Sequence, residues 1–174
     1  IESGPAGGVI GSQAISKASG LENVITSDMG GTTAKTSMIA RGQVTRALDM
    51  QVGGGIMHGS RLMTGAGYAL KVPAIDLAEV GAGGGSILSI DAGGSLRAGP
   101  ESAGASPGPV CYDAGGENPT ITDANIILGY LNPNHLVGGA VKLNKEKAAN
   151  VFKEKIAEPL GLSLEEAAYG AHLI

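Results

Sequence analysis

The residues best equipped for chemistry are Asp28-Met29-Gly30-Gly31-Thr32-Thr33. The apolar run Val24-Ile25-Thr26 leads to the carboxylate, two glycines allow a tight turn, and two hydroxyls follow. The chain then enters a second apolar run, Ala34 to Ala40. Glycine lets backbone N–H groups approach anionic oxygens, and hydroxyls add donors. A single carboxylate can hold a divalent cation, mostly through water. The pattern suits a phosphate-and-metal loop, and equally a plain hairpin with a Gly-Gly turn. It is not a P-loop, because the Lys-Ser/Thr pair leading into a helix is missing.

Glu79 is the second candidate. It precedes Gly83-Gly84-Gly85 at the end of a short strand. There a carboxylate can act as general base or metal ligand, or stand solvated at a turn. Ser86 reads as a turn cap and Asp76 as a surface residue. Cys111 has no base nearby in sequence and reads as a buried or loop thiol. His58, His135 and His172 lack metal-ligand spacing, and only His58, set among glycines, is worth testing as a site residue. Asp123 sits where a helix start favours a carboxylate anyway.

These residues need elements to hold them. A helix is expected over residues 3–18, with Pro5 in its first turn and Gly20 closing it. Gly7, Gly8, Gly11 and Ala14 leave one face nearly bare, which implies close packing against a neighbour, with anion contact at Gly7 and Gly8 the lesser alternative. Strands follow at 24–28, 34–40 and 43–49, the last two joined at Arg41-Gly42. A loop-rich passage surrounds His58. Residues 73–80 hold a short strand, and 87–90 and 95–98 form a hairpin. Residues 99–120, with four prolines, read as a long loop, either ordered or disordered. Thr122 is the expected cap of a helix ended by Pro133. Asn144 caps another, to about Glu158, with Ala148, Val151, Phe152 and Ile156 as its apolar stripe and the lysines around it solvated. Ser163 and Glu166 form a capping box for a last helix.

Composition narrows the classes. The chain has 174 residues and a net charge of −4, with no basic stripe, so nucleic-acid binding is not expected. No apolar run reaches the ~20 residues of a membrane span. The single Cys111 forms no internal disulfide and suits a reducing cytoplasm. Glycine supplies 30 residues, far above the usual share of about 7% and without a collagen period, so many tight turns are expected. The sequence reads as an internal fragment cut at both ends.

Five segments in order carry a resemblance. They are Ser3-Gly4-Pro5-Ala6-Gly7-Gly8, the Asp28–Thr33 loop, Val80-Gly81-Ala82-Gly83-Gly84-Gly85-Ser86-Ile87, Gly99 to Pro109, and Thr120-Ile121-Thr122-Asp123-Ala124-Asn125. Together they resemble the hydantoinase A / 5-oxoprolinase family, which includes subunits of ketone carboxylases, over the whole chain. The resemblance implies an α/β fold, a fragment of an actin-like (ribonuclease H-like) ATPase domain with a mixed sheet and flanking helices. It implies ATP and Mg²⁺, and phosphorylation of the carbonyl oxygen of a cyclic amide or imide so that water can open the ring. A companion subunit or domain of the hydantoinase B type is implied as partner. The alternatives are a subunit of an ATP-dependent ketone carboxylase and a non-catalytic nucleotide-binding partner.

On that resemblance Asp28 holds Mg²⁺, Gly30, Gly31, Thr32 and Thr33 meet phosphate oxygens, and Asp28 and Glu79 are the catalytic candidates. The family's other phosphate loop and its adenosine loop do not occur here, so residues 1–174 alone are expected to hydrolyse no ATP. One departure stands out. Many relatives place an Asp where this chain has Lys35, which can pair with phosphate or stand as a surface strand residue, the second slightly favoured.

Overall fold

A computed structural model describes residues 3–47, 50–52, 68–70, 73–136, 139 and 142–174. The chain forms two compact units. One comprises Ile1–Met29 with Thr33–Val80, the other Gly30–Thr32 with Gly81–Ile174. The passage around His58 lies outside the described residues.

The first unit opens with helix α1, Ser3–Ala18. Its end is a double hydrogen bond, Leu21 N–H to Ser16 O and Gly20 N–H to Lys17 O. This closure needs a left-handed residue, which Gly20 supplies at φ +70°. The helix buries Val9 and Ser16, and the Gln13 side chain between them donates to Gly42 O. The bare face therefore does not pack as expected. Gly7, Gly8, Gly11 and Ala14 are exposed, and a Cβ at any of the three glycines would meet nothing within 4 Å. The contacts come instead from the Val9–Gln13–Ser16 side of the helix.

Strands β1 (Val24–Met29) and β2 (Ala34–Ala40) pair antiparallel, with Thr26 opposite Ser37 and Asp28 opposite Lys35. Residues directly opposite share a face. Thr26, Ser37 and Ile39 are buried, while Ile25 and Met38 point to the other side and are exposed. The strand expected over 43–49 is broken in two. Strand β3 (Gln43–Val44) stays with β2, but β4 (Arg46–Ala47) pairs with β7 (Ala74–Ile75). The reason is competition for one edge. Strand β8 (Ala78–Val80) occupies the β2 edge at Ala34–Thr36, so β3 cannot extend along it. Strands β5 (Met50–Val52) and β6 (Tyr68–Leu70) form a separate antiparallel pair.

The second unit is built on the hairpin of β9 (Ser86–Ile90) and β10 (Leu96–Ser102). Its turn is organised by Asp91, whose carboxylate accepts from Gly93 N–H, Ser95 N–H and Arg97 Nε. Those bonds, the Ser95 amide first, hold the Asp91 carboxyl below its ordinary value. The proline-rich passage takes the ordered of its two expected forms. Strand β10 takes it to Ser102, a single 3₁₀ turn covers Val110–Tyr112, and Thr120 bridges to Ile87.

Helix α2 spans Ile121–Ile127 and is capped by Thr120, not Thr122. It ends well before Pro133, and Tyr130 is exposed. Helix α3 (Lys145–Phe152), capped by Asn144, runs on through a π turn (Lys153–Ala157) into α4 (Glu158–Leu160). Pro159 accounts for the π turn, because it has no N–H to give and its ring crowds the carbonyl of Lys155. Lys147 is not merely solvated. Its Nζ lies 2.6 Å from Asp113 Oδ1.

Helix α5 (Leu164–Leu173) begins with the expected capping box of Ser163 and Glu166. The core joins Leu88 of β9, Ala124 and Ile127 of α2, Phe152 and Ile156, and the alanine side of α5 at Ala167, Ala168 and Ala171. With so few aromatics, Phe152 matters most. It is fully buried, worth roughly 1.5–3 kcal/mol of transfer free energy.

Candidate functional site

In the first unit the strand register decides the geometry. Asp28 on β1 faces Lys35 on β2, which faces Glu79 on β8. The three residues form one row across the sheet, on the same side as Thr26 and Ser37. At about 4.8 Å per strand, Asp28 and Glu79 are separated by roughly 10 Å of backbone. Lys35 is not the surface residue expected. Its side chain is only 14% exposed, and Nζ lies 3.5 Å from Glu79 Oε1. A lysine that deep needs a counter-charge, and Glu79 provides it.

Asp28 and Lys35 line a cleft of about 250 Å³ with Pro5, Gly8 and Ser12 of α1. Asp28 is exposed there, and among the described residues its carboxylate makes no hydrogen bond or ion pair. A larger cleft of about 330 Å³, lined by Gln13, Arg46 and Pro73, contains none of the candidate residues.

In the second unit the hairpin tip meets the glycine run. Gly84 N–H donates to Gly30 O at 3.0 Å, and Gly85 N–H donates to Gly31 O at 2.6 Å. The run is closely packed. A Cβ on Gly83 would lie 2.6 Å from the Gly31 carbonyl carbon, and one on Gly85 would lie 2.8 Å from Gly31 O. Side chains are excluded because backbone meets backbone. Ser86 caps this turn as expected, its Oγ accepting from Gly83 N–H.

These bonds fix where the tip amides point. In a planar trans peptide the C=O and the following N–H are antiparallel. With the Gly30 and Gly31 carbonyls drawn to the glycine run, Gly31 N–H and Thr32 N–H are turned away from it. Among the described residues neither amide has a protein acceptor, and both residues are exposed. Among the described residues the Thr32 and Thr33 hydroxyls have no protein partner either. Two neighbouring amides and two hydroxyls without acceptors are what an anionic oxygen requires.

Fit to a divalent cation is of a particular kind. Among the described residues no cluster of three His, Cys, Asp or Glu side chains could cage a metal. Asp28 alone suits Mg²⁺, which keeps most of its waters and binds through one or two carboxylates plus substrate phosphates.

The remaining candidates separate from this chemistry. Asp123 is fully buried and accepts from Val110 N–H, Cys111 N–H, Thr120 N–H and Thr120 Oγ. Thr122, read as a cap, instead donates its hydroxyl to Gly84 O. Sequence spacing carries no signal for that bond, which joins residues far apart in the chain. His172 lies 3.1 Å from Asn125 and against Tyr130, and His135 is exposed.

Cys111 is fully buried, and burial, with the Asp123 charge second, pushes its thiol far above the ordinary value. It is a protonated core thiol and no nucleophile. Iodoacetamide is accordingly expected to leave Cys111 unmodified in the folded protein at pH 8 and to label it fully after denaturation. Comparable labelling rates in the two states would contradict this.

Fold and site together define an α/β domain with a glycine-turn hairpin whose tip amides face outward. The chain belongs to the hydantoinase/oxoprolinase family, whose model matches residues 1–174. An uncharacterized protein of Methanocaldococcus jannaschii is 52% identical over 170 residues, covering 98% of this chain and 25% of that protein. Caprolactamase subunit alpha of Pseudomonas jessenii is 43% identical over 98% of this chain and 23% of its own length.

The α/β class expected from sequence stands. The chain superposes on the nucleotide-free structure of acetone carboxylase with a TM-score of 0.78 at 38% identity, over 97% of this chain and 22% of that one. For the crystal structure of ATP-dependent caprolactamase the TM-score is 0.74. The chain thus spans a quarter or less of these relatives. Two of them are described as subunits or as ATP-dependent enzymes. No helix among the described residues is long and apolar enough to cross a membrane.

Proposed function

We propose that the protein containing this chain is an ATP-dependent hydrolase of a cyclic amide or imide, with residues 28–33 as one phosphate grip. The observation that carries the reading is the pair of tip amides, Gly31 N–H and Thr32 N–H, turned outward by the glycine run. Family membership and 43% identity to a caprolactamase subunit support the substrate class.

In this reading Gly30, Gly31, Thr32 and Thr33 hold phosphate oxygens, and Asp28 holds Mg²⁺ through water. The bound cation would neutralise charge on the transferring phosphoryl group. The γ-phosphoryl passes to the carbonyl oxygen of the ring, the bond to the β-phosphate breaks, and ADP leaves with the electron pair. Water then adds to the activated carbon and gives up its proton to a base, for which Glu79 is the candidate. The C–N bond then breaks, the leaving nitrogen taking a proton, and a second water hydrolyses the resulting acyl phosphate with release of inorganic phosphate. Such catalysis rests on positioning and charge neutralisation.

The test is ADP release by the whole protein, with its companion subunit, against a lactam, a hydantoin, and a ketone with bicarbonate. ADP release that depends on the lactam or hydantoin and matches ring opening is expected. Release with the ketone and bicarbonate alone would replace the hydrolase by a carboxylase. Release stimulated by none of them would overturn the reading.

Lys35 gives a further expectation. Its ammonium sits in the Asp28 cleft and is buried against Glu79. Lys35→Met should lower kcat/KM for ATP about tenfold, in line with loss of one charged contact, and Lys35→Arg should recover part of it. Steady-state kinetics at saturating lactam or hydantoin measure this, and an unchanged kcat/KM would place Lys35 outside the site.

A further inference from the structure

The glycine run that orients the hairpin tip is itself anchored, and the anchor is Thr122. Gly84 O accepts two hydrogen bonds from this one residue, from its N–H at 2.7 Å and from its Oγ1 at 2.8 Å. The other side of the same glycine, its N–H, holds Gly30 O at 3.0 Å. Gly85 repeats the arrangement. Its N–H holds Gly31 O, and its O accepts from Ala103 N–H. The fit leaves no slack, because a Cβ on Gly84 would lie 2.8 Å from Thr122 Oγ1. Thr122 follows the first residue of α2, whose own cap, Thr120, is satisfied by the Asp123 box. The Thr122 hydroxyl is therefore not needed to start the helix.

We infer that Thr122 is a positioning residue for phosphate binding, acting through the Gly84–Gly85 peptide on the direction of the Thr32 amide. This rests on the reading of residues 28–33 as a phosphate grip. The physical chain is short. The hydroxyl fixes the Gly84 carbonyl, the planar Gly84–Gly85 peptide fixes the Gly85 N–H, and that N–H fixes the Gly31 carbonyl. The Gly31–Thr32 peptide plane then sets the Thr32 N–H. Misdirected donors lose hydrogen-bond strength steeply with angle, so a modest rotation of these planes weakens a phosphate contact. No contact between Thr122 and nucleotide is required.

The experiment uses the whole protein and titrates MgATP calorimetrically. Thr122→Val keeps the shape of the side chain and removes the hydroxyl, and Thr122→Ala provides a second removal should the first fail to fold. The Kd for MgATP is expected to rise about fivefold in the folded variant, the size of one neutral hydrogen bond. Thr122→Ser keeps the hydroxyl and should bind within about twofold of the parent. A folded Val or Ala variant that binds MgATP as tightly as the parent, whatever its thermal midpoint, would make Thr122 purely structural. A Ser variant as weak as the Val variant would assign the effect to the methyl group and equally overturn the inference. Asp28→Ala in the same titration separates the two levels. If its MgATP affinity and turnover match the parent, the grip itself is misplaced. If both fall while Thr122→Val does not change, only the Thr122 inference fails.

Discussion

Replacing Asp28 by alanine in the whole protein is expected to lower kcat for ATP-coupled ring opening by at least about a hundredfold, while stability changes by less than about 1 kcal/mol. The asymmetry follows from position. Asp28 is an exposed strand residue whose carboxylate makes no hydrogen bond or ion pair among the described residues. Its loss leaves no buried group unsatisfied and opens no cavity. Its backbone pairing with Lys35 persists in any residue that tolerates a strand. The activity term is different in kind. A carboxylate that orients a hydrated Mg²⁺ on a polyphosphate acts where charge develops, and groups of that type are worth several kcal/mol in the transition state. Asp28→Asn keeps the shape and loses the charge, so it should behave like the alanine variant at low Mg²⁺. Turnover and chemical denaturation of both variants measure the two terms. A kcat within about threefold of the parent would remove Asp28 from the reaction, and a stability loss above about 2 kcal/mol would assign it to the fold.

Local rules read well where local chemistry decides. The Gly20 closure, the β1–β2 hairpin and the Ser163–Glu166 capping box are each set by residues within a few positions of one another. Asp28 and the glycine–threonine turn were legible for the same reason. What could not be read was set by pairing at a distance. Strand alternation leaves the face of Lys35 open until β8 is known to pair with β2 and to bring Glu79 beside it. The break between β3 and β4 reflects competition for one strand edge, which no single segment reveals. Thr120 and Thr122 are equally good caps on composition. The choice falls to Thr120 because Asp123, three residues later, returns a bond to its backbone N–H, and because Gly84 claims the other hydroxyl. The bare face of α1 misled for a related reason. Small residues permit close packing, but the side that packs is chosen by Val9, Gln13 and Ser16.

Asp123→Ala is expected to destabilise the second unit by about 3–5 kcal/mol, the largest stability effect of any single side chain discussed. The carboxylate is fully buried and is shared between two segments. Oδ2 accepts from Thr120 N–H at 2.9 Å, Thr120 Oγ1 at 2.8 Å and Val110 N–H at 3.2 Å, and Oδ1 accepts from Cys111 N–H at 2.8 Å. Truncation strands three backbone N–H groups, and a buried donor without an acceptor costs about 1–3 kcal/mol. Asn keeps one acceptor oxygen and should recover part of the loss.

Because the whole protein has more than one unit, a single unfolding midpoint is a poor measure. Cys111 is a better reporter, since it is buried beside this carboxylate and its amide is one of the three donors. Loss of about 3 kcal/mol in local opening corresponds to at least about a hundredfold faster iodoacetamide labelling under native conditions. Labelling of Asp123→Ala at the parent's rate would show that the 3₁₀ turn and the passage to Thr120 are held by packing alone. An accelerated rate in the alanine variant and an intermediate one in Asp123→Asn would trace the order of this proline-rich passage to one carboxylate.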